Sequence, residues 1–144
     1  MTFGDADANP LTYAHNLYCG GELVTQAELS PARLNDYAFC GASCLEDVRL
    51  QGVQQIGCGV FNGCTGLKAV SLDEVSTLTI EDDNEGGLFA DSDLETVYLG
   101  CDLDYTISPF VGQAGITDLK IGEGVSTIGD NAFDGCEGIT EVTL

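Results

Sequence analysis

The sequence predicts a repeat solenoid, a stack of short, similar coils joined through one parallel β-sheet. Three observations carry that prediction. A unit of about 22 residues recurs along the chain, one aromatic marks each unit, and an apolar triplet closes it with its last two members two residues apart.

The repeat is plainest at the end of the chain, which reads Val125-x-x-Ile128-Gly129-Asp130-Asn131-Ala132-Phe133-x-x-Cys136-x-x-Ile139-x-x-Val142-x-Leu144. The same frame recurs as Ile56-Gly57-x-x-x-Phe61-x-x-Cys64-x-x-Leu67-x-x-Val70-x-Leu72. A third copy runs from Leu34-x-Asp36-Tyr37-Ala38-Phe39 to Leu45-x-x-Val48-x-Leu50, with the cysteine displaced. The aromatic markers are Tyr18, Phe39, Phe61, Phe89, Phe110 and Phe133, separated by 21, 22, 28, 21 and 23 residues. The triplets agree independently: Val24/Ala27/Leu29, Leu45/Val48/Leu50, Leu67/Val70/Leu72, Leu94/Val97/Leu99, Ile116/Leu119/Ile121 and Ile139/Val142/Leu144.

Residues two apart on a strand face the same side, so each triplet forms a short strand with one apolar face. Such a strand cannot bury that face alone, and stacking the next coil against it closes the core. Amphipathic helices are disfavoured, because glycines break each unit and its end has period two. The chain of 144 residues is expected to be one domain of about six coils, with units near 10–29, 30–50, 51–72, 73–99, 100–121 and 122–144. The phenylalanines should form one buried column, and Leu50, Leu72, Leu99, Ile121 and Leu144 another.

The same frame resembles the BspA-like, or Treponema-type, leucine-rich repeat of bacterial and protist surface proteins. The segments Asn9-Pro10-Leu11-Thr12-Tyr13-Ala14-His15-Asn16-Leu17-Tyr18 and Ser108-Pro109-Phe110 look like recurrent variants within such arrays. The resemblance implies a leucine-rich-repeat right-handed superhelix, an α/β horseshoe whose parallel sheet is joined by short helical or 3₁₀ connections. It also implies a cell-surface or secreted protein engaged in adhesion and host or matrix contact, usually as one module of a longer chain.

Composition narrows the function. There are 24 acidic residues against 4 basic ones, giving a net charge of −20, although hydrophobic residues make up 44% and mean hydropathy is +0.10. The chain has enough apolar material to fold, but almost no Lys or Arg to contact phosphate, so nucleic acid is an unexpected partner. No apolar run approaches the roughly 20 residues of a membrane helix, and membrane insertion is not expected.

Catalytic and metal chemistry find little support. His15, the single histidine, stands four residues before Cys19, a spacing at which a thiol and its base could meet on a helix. Cys19 occupies a repeat position, however, and His15 lies in the connection leading to Tyr18. With an odd total of seven cysteines, one thiol at least lacks an intrachain partner. Cys64 and Cys136 share one repeat position and are expected to be small buried packing residues. Cys19 and Cys40 each follow a marker aromatic directly, which predicts stacked neighbours within disulfide range. Thr79 to Gly87 lengthens the fourth unit and is expected to bulge as an exposed loop, with Glu81, Asp82, Asp83 and Glu85 solvated rather than holding calcium. Asp5, Asp7 and Asn9 alternate oxygen ligands but lack the glycine and glutamate of an EF-hand. No phosphate-binding glycine motif is present. No catalytic residue, cofactor or metal site is therefore assigned.

Binding is the expected role, with a protein or glycan ligand. Alternation places Gln26, Asp47, Ala69, Thr96, Asp118 and Glu141 in one outward column, and Glu28, Arg49, Ser71, Tyr98, Lys120 and Thr143 in another. Asp47, Arg49, Ser71, Thr96, Tyr98, Asp118 and Lys120 are the candidate binding residues, with Tyr98 as an aromatic anchor beside Lys120. Arg49 beside Glu28, and Lys68 between Glu46 and Glu95, are expected to neutralise the ladder instead. The alternative to a binding module is a structural spacer in a larger surface protein. The final unit has no polar cap, so either the array continues or this end self-associates.

Overall fold

A computed structural model describes Pro10, Ala14 and residues 16–144. In chain order its strands are β1 (Tyr18–Cys19), β2 (Glu22–Leu23), β3 (Gln26–Leu29), β4 (Arg33–Leu34), β5 (Asp47–Gln51) and β6 (Gln55–Ile56). They continue with β7 (Ala69–Asp73), β8 (Thr77–Ile80), β9 (Thr96–Leu99), β10 (Asp102–Tyr105), β11 (Asp118–Ile121) and β12 (Glu141–Thr143).

The triplet strands form one six-stranded parallel sheet in the order β12-β11-β9-β7-β5-β3, so the chain advances by about five solenoid turns. Both outward columns stand in register as the alternation requires. Gln26 pairs with Asp47, Asp47 with Ala69, Ala69 with Thr96, Thr96 with Asp118, and Asp118 with Glu141. Glu28, Arg49, Ser71, Tyr98, Lys120 and Thr143 pair in the same succession. A one-residue slip would turn every apolar side chain outward, which is why burial fixes this register so firmly.

Behind the sheet lies one core. Val48, Val70, Val97 and Leu119 form one buried row, and Leu50, Leu72 and Leu99 another. Phe39, Phe61, Phe89, Phe110 and Phe133 form a single stack, with successive ring centroids 6.1, 5.4, 5.8 and 5.4 Å apart and planes within 24° of parallel. The three inner rings are completely buried and the two outer ones half-buried, as expected where a coil has a neighbour on one side only. Each pair contributes about 0.5–1.5 kcal/mol beyond the area it buries.

The connections differ from the short helices implied by the resemblance. Residues 16–144 contain neither α- nor 3₁₀-helix. Turns carry the aromatics, and a second parallel sheet, ordered β10-β8-β6-β4, closes the coil. Its inward column runs Leu34, Ile56, Ile80 and Tyr105 in register. Coils of little more than 20 residues that spend two segments on extended strand have few residues left for a helix.

Three further expectations are corrected. Leu144 is 93% exposed rather than buried, because β12 is an edge strand paired only with β11 and nothing covers its outer side. Tyr18 is 60% exposed and outside the ring stack, since β1 turns back on β2 as an antiparallel hairpin instead of completing a coil. Cys19 lies in that hairpin; its side chain, and hence its expected approach to Cys40, lies outside the described residues, as do Asp5, Asp7, Asn9 and His15. Finally, in the segment 79–87 Glu81, Asp83 and Glu85 are exposed in a loop as expected, but the start of the segment and Asp82 are not. Thr79 and Ile80 belong to β8, and Asp82 is 4% exposed, accepting hydrogen bonds from the Gly59 N–H (2.6 Å) and the Asn84 N–H (2.8 Å).

Candidate binding face

The outward side of the six-stranded sheet brings the predicted site residues together. Arg49, Thr96, Asp118 and Lys120 are exposed, and Asp47, Ser71 and Tyr98 are half-buried among their column neighbours. At the first strands the face dips into a depression of about 350 Å³ lined by Gln26, Ala27, Glu28, Asp47 and Arg49.

Charge is distributed unevenly across this face. Arg49 lies 3.7 Å from Glu28 and 3.4 Å from Asp47. Lys68 lies 3.3 Å from Glu95 and 3.5 Å from Asp93, and its hydrogen bond to Glu95 raises its pKa. On the second sheet, Arg33 contacts Glu81 at 2.7 Å and Asp36 at 3.5 Å; the Glu81 bond raises the arginine pKa and, reciprocally, lowers that of the carboxyl. Exposed pairs of this kind contribute little to stability, but each leaves its cation compensated.

Lys120 is different. Among the described residues it is the one basic side chain with no carboxylate within 4.0 Å; its Nζ stands 5.8 Å from the centroid of the Tyr98 ring. The separation is within the range of a cation–π contact.

Tyr98 owes its pose to two glycines that the sequence reading did not single out. Its ring lies over the strand exits Leu99-Gly100 and Ile121-Gly122. A Cβ built on Gly122 would fall 2.5 Å from the Tyr98 hydroxyl, and one on Gly100 would fall 2.9 Å from the ring. The missing side chains leave room over Gly122 for the Tyr98 hydroxyl end and over Gly100 for the ring edge together with the Asp73 carboxylate, whose Oδ1 a Gly100 Cβ would meet at 2.5 Å. The signal available in sequence was a glycine directly after the triplet in two successive units, beside the only aromatic of the outward columns.

The cysteines do work of another kind. At the position three after the aromatic, Cys64 donates its S–H to the Phe39 carbonyl (3.2 Å) and Cys136 to the Phe110 carbonyl (3.0 Å). Gln113 fills the same position and donates its Nε2–H to the Phe89 carbonyl (2.7 Å). Packing is therefore only part of the role, since each side chain also satisfies a carbonyl of the preceding coil. Burial pushes the Cys64 thiol up to about 12 and the Cys101 thiol to about 11, and it also raises Cys136. Thiols held protonated in this way are poor nucleophiles. Among the described residues no group of three His, Cys, Asp or Glu side chains is arranged to hold a metal ion.

A parallel solenoid with one polar, in-register face and a buried aromatic spine defines a repeat protein of the leucine-rich-repeat class. Six copies of the BspA type Leucine rich repeat region match residues 32–144, and the chain belongs to that family. The first expected unit, 10–29, precedes the matched residues, in agreement with its departure into a hairpin. No curated protein and no solved structure matches the chain.

Proposed function

We propose that this chain is a non-catalytic protein- or glycan-binding module of a cell-surface or secreted protein, acting in adhesion or in contact with a host or matrix. The outward face of the six-stranded sheet is its binding surface, with Tyr98 and Lys120 at the centre and Thr96, Asp118 and Ser71 beside them. The observation that carries this reading is Lys120, the one basic side chain among the described residues without a carboxylate within 4.0 Å, resting beside Tyr98, the one aromatic of the outward columns. A purely structural ladder would pair Lys120 with a carboxylate, as it pairs Arg49 and Lys68.

The titratable groups that line the depression of this face, Glu28, Asp47 and Arg49, are engaged with one another as ion pairs. Its dominant negative charge disfavours nucleic acid. A screen of the intact chain against matrix proteins and glycans tests the proposal, followed by Tyr98→Ala and Lys120→Glu against any positive. Loss of binding at an unchanged melting temperature supports this face, whereas full affinity in both variants removes it.

One observation favours a second reading, a structural spacer. Across β3 to β9 the basic residues of the sheet face are all neutralised, which makes those coils a uniform polar coat. The two readings part at β9 to β12. The exposed apolar residues of the last unit, Ile128, Val142 and Leu144, are those that a further repeat or a second copy of the chain would cover, and light scattering over a concentration series tests the second.

A further inference from the structure

We infer that the Tyr98–Lys120 site takes an oligosaccharide whose only charge is one carboxylated sugar, an inference that rests on the binding-face proposal and names its ligand. Four features of the face select this chemistry.

The first is the aromatic ring. The Tyr98 ring reaches over Gly100 and Gly122, where a Cβ would fall 2.9 Å from its Cε1 and 2.5 Å from its hydroxyl, and the half-buried residue keeps part of its ring open to solvent beside Lys120. A sugar ring presents a face of C–H groups that suits such a surface, whereas a side-chain anchor of a protein partner needs a pocket to enter.

The second is the absence of apolar ground. Among the described residues the large exposed hydrophobics are Tyr18, Leu23, Ile128, Val142 and Leu144, all in the first or last unit. Protein interfaces have an apolar, well-packed centre, and around Tyr98 the column neighbours are instead Ser71, Thr96, Asp118, Lys120 and Thr143. Hydroxyls and a carboxylate can exchange hydrogen bonds with sugar hydroxyls, Asp118 as acceptor and Thr96 or Thr143 as donor or acceptor.

The third is Lys120, an ammonium with no carboxylate partner among the described residues. A carboxylate on a sugar stacked over Tyr98 lies within reach of that ammonium, and a charge-assisted bond to it is about twice as strong as a neutral one.

The fourth feature limits the charge of the ligand. Asp118 and Glu141 occupy the adjoining column, both exposed, and the chain as a whole is at −20. Only one cation is available, so a polymer with a carboxylate on every second sugar, or an acidic peptide, would set its remaining charges against these acids. Screening over about 8 Å at physiological salt lets a single carboxylate be accepted locally while a polyanion is repelled.

The test uses the intact chain and sialyllactose, with lactose and a polyglutamate peptide as comparisons, each displayed on a neutral polymer so that weak binding is measurable through avidity. Sialyllactose is expected to bind, with lactose and polyglutamate weaker by about tenfold or more. Lys120→Gln should reduce sialyllactose to the lactose level. Gly122→Ala, whose Cβ would fall 2.5 Å from the Tyr98 hydroxyl and 3.3 Å from the Gly100 Cα, should displace the ring and weaken both sugars together, with circular dichroism confirming that the variant is folded. Failure of sialyllactose to bind, equal binding of lactose, equal binding of polyglutamate, or indifference to Lys120→Gln would each overturn the inference. The two proposals fail separately. If another ligand binds and is lost in Tyr98→Ala, only the acidic-sugar inference falls; if its binding ignores both Tyr98 and Lys120, the face falls too.

Discussion

Replacing Phe89 by alanine should cut the solenoid in two. The ring is completely buried, 5.4 Å from Phe61 on one side and 5.8 Å from Phe110 on the other. Truncating an enclosed phenylalanine costs about 3–5 kcal/mol, and the loss of two stacking contacts puts this site near the upper half of that range, at about 4 kcal/mol. Phe133 provides the internal control. It is half-buried, with one ring neighbour at 5.4 Å, so about half the transfer term and one stack are lost, or about 2 kcal/mol. Against a total stability of about 5–15 kcal/mol the difference is readily measured. Because coils contact only their neighbours, a gap at Phe89 also uncouples the coils on either side, whereas one at Phe133 frays only an end. Urea unfolding followed by far-ultraviolet circular dichroism reads both effects. Phe89→Ala should lower the midpoint about twice as far as Phe133→Ala and also reduce the slope of the transition. Equal losses, or a larger loss at Phe133, would refute a continuous aromatic spine.

Other outcomes follow from the same packing. Cys64→Ala should destabilise by about 1–2 kcal/mol and Cys64→Ser by less, because the serine hydroxyl retains a donor for the Phe39 carbonyl; thermal melting checks the order. The Cys64 and Cys101 thiols keep their protons above the ordinary 9.0, at about 12 and about 11, so the folded chain holds protons the unfolded chain releases. Their contribution is complete below pH 9 and is lost as pH rises from 9 towards about 11 for Cys101 and about 12 for Cys64, and a Cys64→Ser, Cys101→Ser double variant should flatten that decline in the urea midpoint. Asp82→Ala should lower the melting temperature in metal-free buffer through the loss of bonds to the Gly59 and Asn84 N–H groups, at a cost of about 1–3 kcal/mol. Asp83→Ala, an exposed change, should be neutral; equal effects at the two positions would place Asp82 outside the core.

The sequence specifies most strongly what stacking enforces. Period-two alternation and a repeated triplet leave one register that buries every apolar row, and both outward columns follow from it residue by residue. Signals weaken where stacking ends. Tyr18 keeps the spacing of a marker aromatic, but its strand pairs antiparallel with β2 and it joins a hairpin instead. The second sheet was illegible because two of its strands, Arg33–Leu34 and Gln55–Ile56, are only two residues long, too short for a periodic pattern. The segment 79–87 misleads by composition. Its carboxylates suggest a solvated loop, yet Asp82 serves as an acceptor for backbone N–H groups that the turn leaves unpaired. At the site, Tyr98 and Lys120 could be placed by counting, but the room the Tyr98 ring takes up depends on Gly100 and Gly122, whose absent side chains give no hydrophobic signal.

The central claim is that binding occurs on the outward face of the six-stranded sheet around Tyr98. The most direct measurement is a titration of the isotope-labelled chain with a ligand found by the screen, followed by amide chemical-shift changes. The account predicts that the changes concentrate at Ser71, Thr96, Tyr98, Asp118 and Lys120 and disappear in Tyr98→Ala. Shifts confined to the ends of the stack, at Tyr18 and Leu23 or at Val142 and Leu144, would contradict it.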